Sequence, residues 1–178
     1  MIMESFISEK LHEALENKDK ILIILRGISG AGKSFNANKL KGTTGIIHST
    51  DDVISAQGDY NQFFQNMRDN KSAAPLELAH LENFNNAKNS MDMGISPVVI
   101  DNTNIKPSDF IEYVKYGLSK GYKIQIENIG TGGFKIDDLV KRNKHGVDKE
   151  KIQSMMDRYR HFGDISSAQA IEMANEEK

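Results

Sequence analysis

The sequence predicts an α/β fold with a mostly parallel central sheet flanked by helices. Three observations carry this. Short, uninterrupted apolar runs such as Ile21-Leu22-Ile23-Ile24-Leu25 and Val98-Val99-Ile100 read as strands buried on both faces. Stretches of helical periodicity separate these runs, so strands and helices alternate along the chain. A glycine-rich segment, Gly27 to Ser34, lies directly between the first run and the helix after it.

The elements follow in order. Phe6, Ile7, Leu11 and Leu15 recur at helical spacing, which predicts an amphipathic helix over residues 1–20, ahead of a single domain over 21–178. Ile21–Leu25 is the first strand and residues 33–41 a short helix. Gly45–Ser49 is the second strand. From Asp51 to about Met93 the pattern is mostly helical, with a break near Ala73-Ala74-Pro75. Pro97–Asp101 is the third strand. Pro107 opens a helix carrying Phe110, Ile111, Val114 and Leu118, and Gly121 closes it. Lys123–Glu127 is the fourth strand. Gly130-Thr131-Gly132-Gly133 is a flexible connection into two basic helical stretches, Ile136–Lys144 and Asp148–His161, which form a helical lid near residues 131–161. A short helix follows, and Glu172–Lys178 reads as a frayed acidic end. Met91, Met93, Met155 and Met156 read as packing residues.

Composition narrows the function classes. The chain of 178 residues contains no cysteine, which excludes disulfides, cysteine-based zinc sites and a cysteine nucleophile, and fits a reducing, cytoplasmic setting. Lys plus Arg number 23 against 25 Asp plus Glu, a net charge of −2. No global basic field attracts nucleic acid, so such a partner needs a local patch. No apolar run approaches the ~18 residues of a membrane span, and no membrane partner is expected. The N-terminus lacks the basic-then-apolar pattern of a signal peptide. Oligomeric state is not legible.

Gly27-Ile28-Ser29-Gly30-Ala31-Gly32-Lys33-Ser34 fits G-x-x-x-x-G-K-[ST] at every fixed position, with a buried strand before it and a helix after it. This predicts the P-loop NTPase fold. Glycines let successive N–H groups point into one concavity, and the helix adds the positive end of its dipole. Candidate nucleotide contacts are Gly27, Ser29, Gly30, Ala31, Gly32, Lys33, Ser34 and Phe35, with ATP the expected nucleotide. Lys33 can reach the β- and γ-phosphates and the Ser34 hydroxyl can ligate Mg²⁺.

Three further groups face the same crevice if the sheet is parallel. Asp51 and Asp52 follow the second strand; one can cap the next helix while the other accepts a proton as general base, and Asp51 is favoured as the base. Asp101 ends the third strand, where it either supports Mg²⁺ or forms an Asx-type turn with Asn102, Thr103 and Asn104. From Lys135 to His161 there are eight Lys/Arg and five Asp/Glu. Arg142 is the candidate lid cation, with Arg158 and Arg160 behind it; the alternative is a solvated basic face. Tyr60, Phe63 and Phe64 suit either base stacking or packing. His48-x-Thr50 is half of an H-x-[ST] pair that has no second half, and is discounted.

Gly-Ile-Ser-Gly-Ala-Gly-Lys-Ser, Ser-Thr-Asp-Asp, Val-Val-Ile-Asp-Asn-Thr-Asn and Leu-Val-Lys-Arg-Asn-Lys-His-Gly occur in one order across roughly residues 21–160. In this the chain resembles the polynucleotide 5′-hydroxyl kinase group of P-loop kinases. The resemblance implies that Lys33 and Ser34 bind ATP phosphate and Mg²⁺, that Asp51 is the general base, and that Arg142 belongs to the lid. Where family lids often carry a second arginine, this chain has Lys144-His145-Gly146. Where the phage enzymes carry an arginine three residues after the base, to hold the acceptor's phosphate, it has Ile54. The expected activity is ATP- and Mg²⁺-dependent phosphorylation of a hydroxyl, foremost the 5′-OH of DNA or RNA. The alternatives are a small-molecule, nucleoside or modified-base hydroxyl, and a nucleotide-binding regulatory module without catalysis.

Overall fold

The computed structural model describes residues 19–176. The helix expected over residues 1–20 therefore falls outside the described residues, apart from Asp19 and Lys20, which are not helical. Four strands form one sheet: β1 (Ile21–Gly27), β2 (Ile46–His48), β3 (Val98–Ile100) and β4 (Lys123–Gly130). Their order is β2-β3-β1-β4 and every pairing is parallel. On the central strand β1, Leu22, Ile23 and Ile24 lie opposite Val98, Val99 and Ile100 on one side. On the other side they lie opposite Ile124, Gln125 and Ile126.

Side chains alternate across the sheet. Leu22 and Ile24 join Val98, Ile100 and Ile124 in the larger core, while Ile23, Leu25 and Val99 form a smaller one on the opposite face. That double burial is why β1 reads as a continuous apolar run. The helices are α1 (Lys33–Leu40), α2 (Thr50–Gln57), α3 (Tyr60–Asp69), α4 (Ala74–Asp92), α5 (Ile111–Ser119), α6 (Ile136–Arg142), α7 (Lys149–Phe162) and α8 (Ser167–Glu176). Helices α4, α5 and α8 cover the larger core through Ala87, Met91, Val114, Ala170 and Ala174. Helix α1 covers the smaller one through Ala37. Helices α6 and α7 close over the glycine-rich loop, where Leu139 and Ile152 bury Ile28 and Ala31.

Several expectations change in detail. The helical region from Asp51 to Met93 has two breaks, because Gly58 also ends a helix, at φ +147°, and Asp59 caps α3 by accepting from the Gln62 amide at 2.7 Å. Pro107 opens a 3₁₀ turn, Pro107–Asp109, and α5 begins only at Ile111. Strand β4 runs three residues past Glu127, because Asn128 and Gly130 still pair with Arg26 and Gly27 across a bulge. The acidic end is helical through Glu176. Met155 and Met156 pack in the lid cluster, but Met93, just past α4, is 77% exposed.

The connection from β4 to the lid lies against the loop. Gly132 has φ +64°, and a Cβ there would overlap the Ala31 carbonyl oxygen. Only glycine satisfies both constraints. No helix among the described residues is long and apolar enough to cross a membrane.

Candidate active site

Parallel pairing places the carboxyl ends of β1, β2 and β3 along one edge of the sheet, where open α/β sheets hold their ligands. The loop leaves β1 there, Ser49-Thr50-Asp51 leaves β2, and Asp101-Asn102-Thr103-Asn104 leaves β3. These segments are stitched together. The Gly27 amide donates to the Thr103 carbonyl at 2.9 Å and Asn104 Nδ2 to the Leu25 carbonyl at 2.8 Å. Asn102 Oδ1 accepts from the Thr50 amide at 2.9 Å, capping α2 from a neighbouring strand. Neither Asp51 nor Asp52 caps that helix, since both lie in its first turn, with Ser49 at the N-cap.

In the loop, Gly30 and Gly32 have φ of +84° and +95°. These left-handed steps turn the backbone into an anion-binding concavity. Among the described residues, no backbone acceptor takes the amides of Ser29, Gly30 or Gly32. The first turn of α1 adds N–H groups that have no intrahelical partner. The loop also receives the lid closely, since a Cβ on Gly30 would stand 2.5 Å from the Leu139 carbonyl oxygen.

A cleft of about 230 Å³ opens over the loop. Ser29, Gly30, Gly32, Lys33, Ser34 and Phe35 line it, together with Asp51, Asp101 and Arg142. Gly27 and Ala31 do not. The Gly27 amide is committed to Thr103, and Ala31, 4% exposed, lies beneath the lid. Arg158 and Arg160 also lie elsewhere, bonded within α7 to the Ser154 carbonyl and to Asp157. A larger open groove of about 890 Å³ along α7, beside Gln153, Asp157 and Arg158, contains no residue of the loop.

Charge is concentrated at the cleft floor. Lys33 Nζ donates to the Ile28 carbonyl at 3.1 Å. Burial lowers the Lys33 pKa, against the pull of Asp101 and Asp51. Asp101 is 9% exposed, and burial pushes its carboxyl up, while a hydrogen bond with the Ser34 hydroxyl and the Lys33 charge draw it down. Asp101 Oδ1 is buried and has no hydrogen-bond partner. An orphaned carboxylate oxygen beside a hydroxyl oxygen is a hard donor set that fits Mg²⁺. Among the described residues no three His, Cys, Asp or Glu side chains gather to hold a metal. Such a partial set suits an ion that keeps waters and phosphate oxygens as its other ligands.

The lid contributes from the opposite wall. Arg142 Nε donates to the Gly30 carbonyl at 3.1 Å, and the guanidinium lies 3.8 Å from the centre of the Phe134 ring. Asn143 ties the connection from α6 to α7: its Oδ1 accepts from the Val147 amide at 2.7 Å and its Nδ2 donates to the Val140 carbonyl at 2.6 Å. With Gly146 at φ +63°, this turn brings Lys144 and His145 into the cleft.

Two residues meet Asp51 that sequence reading did not assign to it. Tyr60 Oη donates to Asp51 Oδ1 at 2.9 Å, and His145 Nε2 lies 3.3 Å from Asp51 Oδ2. The Tyr60 and His145 rings stack with centres 4.2 Å apart. Burial, with the Asp51 charge and hydrogen bond, pushes the Tyr60 phenol well above its ordinary range. The available signal was weak: an aromatic residue one helix away from Asp51, and a histidine next to a glycine in the lid. His48 and Thr50 serve other ends, bonding Ser90 Oγ and His80 Nδ1 at 2.9 and 3.0 Å. Phe63 and Phe64 pack against Val53 and Ile54.

Residues 22–162 match a family described as the AAA domain. Over 164 residues the chain is 35% identical to NEDD4-binding protein 2 of Homo sapiens, a match covering 90% of the chain and 9% of that protein's length. Shikimate kinase from Acinetobacter baumannii, solved in complex with shikimate, matches in structure with a TM-score of 0.54 at 14% identity. That likeness covers 92% of this chain and 93% of the other, and it is a likeness of fold.

Proposed function

Since the chain belongs to the AAA domain family and has the fold of a P-loop kinase, we propose that it is an ATP-dependent phosphotransferase acting on a hydroxyl, foremost the 5′-OH of DNA or RNA. The observation that carries this is the gathering of Lys33, Ser34, Asp51, Asp101 and Arg142 around one cleft above the loop. In this reading the loop amides and Lys33 hold the ATP phosphates. Asp51 takes the proton from the acceptor hydroxyl as its oxygen attacks the γ-phosphorus. The bond from that phosphorus to the β–γ bridging oxygen breaks, and ADP leaves with the electron pair. Lys33 and Arg142 stabilise the charge spread over the transferring oxygens, which is where most catalysis of this reaction lies. Magnesium, when bound, would draw charge from the phosphate oxygens, and Ser34 and Asp101 are the residues that would hold it.

The test is transfer from labelled ATP to DNA and RNA oligonucleotides bearing 5′-OH ends, with free nucleosides alongside. Asp51→Asn should retain ATP binding and lose about 10²-fold or more in transfer. Lys33→Ala should lose ATP binding. Transfer by Asp51→Asn at the wild-type rate would remove the base. One observation favours a small hydroxyl acceptor as a second reading. Ile54 is 1% exposed and packed among Val53, Phe63 and Phe64, so this position presents nothing to an acceptor phosphate. Labelled nucleosides with unlabelled oligonucleotides would decide for that reading.

A further inference from the structure

Asp51 and Asp101 leave different strands, yet hydrogen bonds tie the residues beside them. Strand β2 ends at His48 and β3 at Ile100. The Asp101 amide still donates to the His48 carbonyl at 2.9 Å, which carries the strand pairing to the edge of the cleft. Past that point a side chain takes over: Asn102 Oδ1 accepts from the Thr50 amide at 2.9 Å. The residue after Asp101 is thus bonded to the residue before Asp51. A second tie reaches Thr50 from another layer. Its hydroxyl lies 3.0 Å from His80 Nδ1 on α4, and Thr50 is 4% exposed. Helix α2 has no cap of its own, because Ser49 stands at its N-cap without a side-chain cap bond. A helix capped by its own serine takes its first turn from the local chain. This one is capped from the end of β3, so its first turn, which carries Asp51, is referred to Asp101.

We propose that Asn102 and Thr50 are positioning residues that set where Asp51 stands relative to the phosphate end of the cleft, with His80 holding the Thr50 side chain. This rests on Asp51 as the base. The acceptor oxygen must come within about 3–3.5 Å of the γ-phosphorus while its proton faces Asp51, so a shift of about 1 Å at the start of α2 is felt in the rate of transfer. The grip on ATP is separate. The loop amides and Lys33 belong to the passage from β1 into α1 and not to α2.

The experiment measures transfer from labelled ATP, with Mg²⁺, to a 5′-OH oligonucleotide and separately to free nucleosides. ATP affinity is titrated alongside, and each variant is assayed well below its melting temperature. Asn102→Ala should lower kcat about tenfold, the scale of a misplaced reacting group. Thr50→Val keeps the branched shape, loses the hydroxyl, and should lower kcat about fivefold, the scale of one hydrogen bond. Both should leave ATP affinity within about twofold, since the lost interaction acts on transfer alone. Thr50→Ser restores the hydroxyl and should recover most of kcat. If either Asn102→Ala or Thr50→Val transfers at the wild-type rate while Asp51→Asn is inactive, the role of that residue is overturned and the base stands. A loss of kcat matched by an equal loss of ATP affinity, or Thr50→Ser as slow as Thr50→Val, also overturns the inference, because the segment then serves the general fold of the cleft. Wild-type transfer by Asp51→Asn removes the base and the inference with it. The expected losses seen on nucleosides alone support the inference and remove the nucleic-acid acceptor. No transfer by the wild-type protein to any acceptor overturns both.

Discussion

Burial of the Asp101 carboxylate works against the ligand-free fold. Its pKa is raised mainly by desolvation, and one of its oxygens has no partner. The folded state therefore holds a proton there at pH values where the unfolded chain has released it. This contribution to stability is complete below the ordinary carboxylate range and is lost as pH rises through the raised folded value. Asp101→Asn keeps a polar group beside Ser34 and removes the charge. It should raise the ligand-free melting temperature at pH 7 and change it little at pH 3. It should also weaken Mg²⁺-dependent nucleotide binding by about tenfold or more; thermal melts at the two pH values and a nucleotide titration check both. Lys33, Ser34 and Asp101 were legible in the sequence because each stands at a fixed distance from a recognisable strand. Tyr60 and His145 were not, because their meeting at Asp51 depends on how two separate turns fold, and no local periodicity records that.

At the scale of elements, the contact between the loop and the lid depends on glycines with different duties. Gly132 combines φ +64° with a Cβ position occupied by the Ala31 carbonyl, whereas Gly133 has φ +80° with nothing within 4 Å. Gly133→Ala should show backbone strain alone, about 1–2 kcal/mol. Gly132→Ala should exceed that in urea denaturation and also reduce nucleotide affinity, since it lifts the connection off Ala31. Equal costs in the two variants, with affinity intact, would show that the approach at Gly132 is unimportant. The sequence marked this glycine run as a flexible link, but composition reports conformational freedom and not the surface against which a chain comes to rest. The break at Gly58 was hidden for a related reason, since a lone glycine between two helical patterns reads as a weak position within one helix.

Across the whole molecule, Arg26 joins segments that are distant in sequence. It is fully buried and donates to the carbonyls of Asn104 at 3.0 Å, Ile105 at 2.8 Å and Gly163 at 3.0 Å, and to Asn128 Oδ1 at 2.6 Å. The guanidinium also lies 5.7 Å and 5.2 Å from the centres of the Phe110 and Tyr159 rings. One planar cation thereby holds the turn after β3, strand β4 and the end of α7 to β1, the strand that leads into the loop. Arg26→Leu should cost about 3 kcal/mol or more by urea denaturation, because the buried carbonyls of Asn104 and Ile105 and the half-buried acceptors of Asn128 and Gly163 lose this donor together. Arg26→Lys should recover little of it, since an ammonium lacks the planar fork. In sequence this residue looks like the polar end of a strand. The sheet was legible because its strands are buried on both faces, while the pins between layers are single residues without a pattern. The three-residue strand β3 has one more effect. Val99 faces α1 and Ile100 the other layer, so Asp101 returns to the side of Ser34 by simple parity. Inserting or deleting a single residue there would swing the carboxylate into hydrocarbon, so drift in this stretch can exchange one aliphatic group for another but cannot change its length.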